Sequence, residues 1–158
     1  MGVLSTNLSP VFTHPYSALW MAACNQTGQT VIARLSGVIP RIDQAVTCFV
    51  PAKFSRDMLS ALNQNPNVAV VAASTQTFES YQFKGRYQSH RNATPEECEI
   101  QTQNLLAFSN AAALLKLPAE ACFNAYFDDN FIALEILQEN VYEQTPKEGT
   151  GLKIQHTL

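Results

Sequence analysis

Two hydrophobic rhythms divide this chain. Ala18 to Asn25 is an apolar run of strand length, and Gln26-Thr27-Gly28-Gln29 supplies a turn in which Gly28 is free to take positive φ. Thr30 to Ile39 resumes with β-branched residues up to Pro40, and after a turn near Asp43 the pattern returns over Ala45 to Val50. These three segments predict an antiparallel meander. Phe54, Met58, Leu59 and Leu62 then fall at i, i+4, i+5 and i+8, the apolar stripe of a helix. Ser55 is its expected N-cap, and Pro66 forces Asn65 out of the helical region. Val68 to Ala73 is short and apolar enough for a buried strand. Phe78 to Gln88 alternates, with Phe78, Ser80, Gln82 and Lys84 on one face and Glu79, Tyr81, Phe83, Gly85 and Tyr87 on the other.

Thr94-Pro95-Glu96-Glu97 predicts a helix start, with Thr94 as N-cap, proline at the first position and Glu97 closing a capping box. That helix is expected to reach Leu117 before Pro118, with Ala111 to Leu117 as its buried end. Ala119 to Tyr126 predicts a short helix, and Phe131 to Tyr142 a strand with Ile132, Leu134 and Ile136 on one face. Residues 1–17 and the tail from Gln144 read as irregular. The order β-β-β-α-β-β-α-β lacks a βαβ rhythm. It predicts an α+β fold, mainly β, built as one closed or split barrel of about six antiparallel strands. The barrel core spans about residues 15–142 of a single domain covering 1–158, with 143–158 as the tail.

Composition narrows the function classes. A length of 158 residues can bury roughly 70% of the unfolded surface. Charged residues make up 15%, which is lean and suggests that another subunit covers part of the surface. A net charge of −3 leaves no basic field for nucleic acid or anionic lipid. The four cysteines, Cys24, Cys48, Cys98 and Cys122, are widely spaced and read as small core residues. No apolar run is long enough for a membrane span and no secretion signal opens the chain, so a cytoplasmic protein is expected. Without a secretion signal the acceptor-like triplets at Asn25 and Asn92 are read as chance, and the Met1-Gly2 start is a weak pattern that is set aside. His14, His90 and His156 have no metal-ligand spacing. Asp128-Asp129 beside Asn130 reads as a turn.

Several pieces together resemble the FMN-binding split barrel of the pyridoxamine 5′-phosphate oxidase-like family. They are Trp20 to Gly28, Cys48-Phe49-Val50, the helix closed by Asn65-Pro66 with the strand Val68-Ala69-Val70, and Tyr81 to Tyr87 with its late Gly85. The match covers about residues 15 to 90, and Val141 to Pro146 is similar to a tail motif of some branches. The resemblance implies a homodimer with FMN at the interface, acting as an oxidoreductase on a small molecule. It places a basic residue of the second strand at the FMN phosphate. Arg41 fits when counted back from Asn65-Pro66, and Arg34 when counted forward from Gly28. The start of the first helix adds a hydroxyl–basic pair, Ser55-Arg56, and Ser80 and Gln82 share the face that meets the ring.

The chemistry of these residues suits that role. A phosphate monoester is held by bidentate arginines and free amides at a helix N-terminus. Lys53, Ser55 and Arg56, facing Arg34 or Arg41, have that capacity, and Gln82 can hydrogen-bond a flavin's polar edge. No catalytic acid, base or metal ligand can be named. That leaves an alternative: a non-catalytic carrier or sensor for flavin, the deazaflavin F420 or haem. Pyridoxamine 5′-phosphate oxidation itself is disfavoured, because Lys153 to Leu158 lacks the substrate-holding Trp and Arg-x-His run.

Overall fold

Ser36 is the residue on which the barrel closes. The computed structural model describes residues 8–148, and the elements are β1 (Ser17–Cys24), β2 (Thr30–Leu35), β3 (Gly37–Pro40), β4 (Ala45–Pro51), α1 (Ser55–Gln64), β5 (Asn67–Ser74), β6 (Ser80–Asn92), α2 (Pro95–Leu114), α3 (Ala119–Tyr126) and β7 (Phe131–Glu143). The strands form one antiparallel sheet in the order β2-β1-β5-β6-β7-β4-β3. Its two ends, β2 and β3, are consecutive parts of one strand bent at Ser36. The Ser36 amide donates to the Phe49 carbonyl at 2.9 Å, and its Oγ donates to the same oxygen at 3.2 Å. With β2 and β3 taken as one bent strand, the sheet is a six-stranded barrel split at that bend.

Alternation explains the core. Leu19, Met21 and Ala23 of β1, Val68, Val70 and Ala72 of β5, Phe83 of β6 and Leu134 and Ile136 of β7 point inward and are buried. Met58 and Leu62 place α1 over one end of this core, each contributing about 2 kcal/mol of burial. Phe12, in a single 3-10 turn at Pro10–Phe12, sits 5.3 Å from the Phe83 ring. Gly85 permits a bulge against β7, since a Cβ there would lie 2.4 Å from the Leu137 carbonyl oxygen.

The predicted elements are present with shifted ends. Gly28 has φ +83°, and Asn65 is extended at φ −147°, ψ 110°. Thr94 and Glu97 form the expected capping box. Ser55 is not the N-cap. Phe54 holds that position, and Ser55 Oγ donates back to the Ala52 carbonyl at 2.8 Å, because a 3-10 turn over Ala52–Phe54 leads directly into α1. Phe78 lies outside β6 at φ +60° and is exposed.

Helix α2 ends at Leu114, three residues early. Pro118 disfavours a helical Leu117, and the chain turns through a left-handed Lys116 at φ +61°. The expected buried end is therefore only half buried: Ala111 and Ala112 pack, while Leu114 is 78% exposed. Of the cysteines, Cys48 alone is fully buried; Cys24, Cys98 and Cys122 are half-buried and all are free. The expectations for residues 1–7, His156 and the tail from residue 149 lie outside the described residues. No described helix is long and apolar enough to cross a membrane.

Candidate functional site

The cofactor candidates stand in three places. Arg34 points outward from β2, but α2 and α3 cover it to 3% exposure. Its Nη1 donates to the Leu19 carbonyl at 2.6 Å and its Nη2 to that of Ser17 at 3.5 Å. The rings of Phe108, Tyr126 and Trp20 surround its Cζ at 4.3, 5.5 and 5.7 Å. Burial lowers its pKa to about 10, with the nearby Tyr126 pulling the other way. This guanidinium is a structural cation.

Arg41, just after β3, is engaged as well. Its Nε donates to Thr47 Oγ1 at 2.8 Å, and its Nη2 lies 3.6 Å from Glu97 Oε1. Thr47 Oγ1 in turn lies 3.0 Å from both carboxylate oxygens of Glu135.

The start of α1 holds Lys53, Ser55 and Arg56. Ser55 Oγ is spent on the Ala52 carbonyl. Lys53 Nζ donates to the Asn124 carbonyl of α3 at 3.5 Å and stands 5.1 Å from the Phe54 ring. Arg56 is 92% exposed and, among the described residues, pairs with its neighbour Asp57 at 3.4 Å, a contact worth little in water. Thr47, which holds Arg41, is four strand positions before Pro51, about 13 Å along β4. Arg41 is thus anchored beside the first half of β4, whereas Arg56 lies beyond its end.

Ser80 and Gln82 open β6. The Ser80 amide donates to Thr145 Oγ1 at 3.0 Å, which anchors the segment after β7. Gln82 occupies a register row running across the outer face: Arg34, Trp20, Val71, Gln82, Tyr142. Ala18 and Ala22 of β1 and Ala69 and Ala73 of β5 flank that row, and with Trp20, Val71, Gln82 and Tyr142 they are half-buried. The result is a flat strip of small and aromatic side chains with Gln82 as its polar group. Lys84 Nζ stands 5.3 Å from the Tyr142 ring at its margin. Trp20 meets Tyr126 edge-on at 6.1 Å.

Alternation could have found Ala69, Val71 and Ala73. Tyr142 could not be reached that way, because the bulge opposite Gly85 reverses the facing of β7. Ile132, Leu134 and Ile136 face the core, and beyond the bulge Val141 does so instead.

Among the described residues no cluster of His, Cys, Asp and Glu suits a metal ion. Asp128 forms the predicted turn, accepting from the Asn130 amide at 3.2 Å, and it also accepts from the Lys53 amide at 2.7 Å.

No family model and no curated protein matches the sequence. Solved structures do match the fold. HupZ of Group A Streptococcus superposes with a TM-score of 0.54 at 9% identity, over 94% of this chain and 99% of that one. A Clostridium acetobutylicum protein related to general stress protein 26 of B. subtilis, of the pyridoxinephosphate oxidase family, gives 0.51 at 10% identity, over 87% of this chain and 84% of that one. This chain has the split-barrel fold of the pyridoxamine 5′-phosphate oxidase-like proteins.

Proposed function

We propose that this chain is a cytoplasmic homodimer that binds FMN between its subunits and carries out two-electron redox on a small molecule. The half-buried strip around Val71 and Gln82 carries this reading. A flat face of alanines, valine and an aromatic ring suits both a planar ligand and a second copy, and Gln82 supplies a hydrogen bond to a flavin's polar edge. Lys53 and Arg56 are the exposed cations at the α1 start, held only by weak surface contacts, and would meet the phosphate, whereas Arg34 is buried and Arg41 is tied to Thr47 and Glu97. Bound FMN would supply the electron transfer, and the chain's own residues would orient and shield it.

The test is the spectrum of the purified protein and its titration with FMN. Flavin absorption in the protein, or quenching of flavin fluorescence on saturable binding, supports the reading. A colourless protein indifferent to added FMN refutes it.

A second reading is a non-catalytic carrier or sensor for FMN, F420 or haem. It is favoured by Gln82, the amide at the centre of the strip, which cannot act as general acid or base at neutral pH. Rapid reduction of the bound flavin by NADH or NADPH, followed by turnover, excludes it.

A further inference from the structure

A small cavity lies behind β1 and β2, lined by Arg34, Ser17, Ser36, Asn104, Phe108 and His14 among others, with a volume of about 20 Å³. The turn over Thr13, His14 and Pro15, whose side chains are exposed, forms part of its wall and its route to solvent. Two features of the wall are unresolved by the protein itself. Among the described residues no carboxylate pairs with Arg34, although it is 3% exposed. Ser17 Oγ, in a residue 2% exposed, has no hydrogen-bond partner. A buried cation without a counter-charge and a buried hydroxyl without a partner are each costly, and here they share one cavity.

We propose that this cavity binds a single monovalent anion of halide size, held by the Arg34 guanidinium and the Ser17 hydroxyl. The volume suits one water-sized or slightly larger species. An anion satisfies the free hydroxyl and balances the guanidinium, whereas a water does only the first. The Leu19 and Ser17 carbonyls take one donor from each terminal nitrogen of Arg34, which leaves further N–H groups for the anion. The downward pull that burial exerts on the Arg34 pKa agrees with a charge still lacking compensation. Arg34 stands at the end of the row that forms the flavin strip, its Cζ 5.7 Å from the Trp20 ring, but the test of the anion site needs no flavin.

Thermal unfolding of the full chain is followed as sodium chloride or bromide replaces sodium gluconate at constant ionic strength. The expected result is a saturable rise in Tm with either halide, as binding to the folded state alone requires. Ser17→Ala removes the unpaired hydroxyl and should fold as well as the parent in gluconate. Its apparent halide affinity should fall on the order of three- to tenfold. Arg34→Gln, where it folds, should abolish the response. A bromide-soaked crystal should show an anomalous peak against Arg34. Superimposable Tm curves in halide and gluconate overturn the proposal and leave the cavity to water. A halide response unchanged in Ser17→Ala, or bromide found only elsewhere, overturns it as well.

Discussion

Arg91 and Glu97 form a two-bond ion pair across the corner between β6 and α2, with Nη1–Oε2 at 2.6 Å and Nη2–Oε1 at 2.8 Å. The same carboxylate accepts from the Thr94 amide at 2.9 Å, while Thr94 Oγ1 accepts from the Glu97 amide at 3.2 Å. Arg41 approaches from β3 at 3.6 Å. One glutamate thus caps a helix and ties it to two strands.

The bond from Arg91 is the main cause that draws the Glu97 pKa down from 4.5 to about 2. A carboxyl depressed in the folded state stabilises fully above its unfolded value and loses that contribution as pH falls from about 4.5 towards 2. Glu97→Gln should cost about 2 kcal/mol at pH 7 in urea unfolding. The gap to the parent should narrow as the pH is lowered to 3. A gap independent of pH would remove the ion pair from the account.

Two glycines should respond differently to alanine. At Gly85 the new Cβ meets a backbone oxygen at 2.4 Å, which cannot withdraw without undoing the bulge, so Gly85→Ala should cost about 3 kcal/mol. At Gly37 it meets Gln101 Oε1 at 2.3 Å, the end of a side chain, so about 1–2 kcal/mol is expected. Trimming Gln101 in the Gly37→Ala background should return about 1 kcal/mol, measured as a double-mutant cycle.

The exposed cations give a test of cofactor binding that spares the fold. Lys53→Ala combined with Arg56→Ala should change stability by under about 1 kcal/mol. FMN affinity, read from flavin fluorescence, should fall roughly tenfold or more, as loss of charge-assisted phosphate contacts implies. Unaltered affinity would move the phosphate elsewhere.

A charge at the centre of the outer strip should separate subunits. Val71→Glu is expected to elute as a monomer by light scattering at concentrations where the parent is a dimer. Its unfolding should change by about 1 kcal/mol or less, since Val71 is half-exposed in the single chain. Flavin binding should be lost with the dimer. A parent that is itself monomeric would sink this prediction.

The barrel was legible because its signals are local. Alternation along Ser80–Gln88, the Asn65-Pro66 stop and the Thr94 capping box each act within a few residues, and all three are seen. Placement of charges was less legible, because burial of Arg34 is decided by Phe108 and Tyr126, which lie far along the chain. Arg41 likewise finds Glu97 only once α2 is docked. Ser55 offers a plainer lesson: a serine before an apolar stripe suits an N-cap, yet the 3-10 turn moved the boundary by one residue.

The position of β7 bears on how the chain comes to be folded during synthesis. β7 is the last of the described strands but lies between β6 and β4 in the sheet. Until Glu143 has left the ribosome, β4 and β6 each carry an unpaired rim of amides and carbonyls. The nascent chain can form its early meander and α1, but it cannot close.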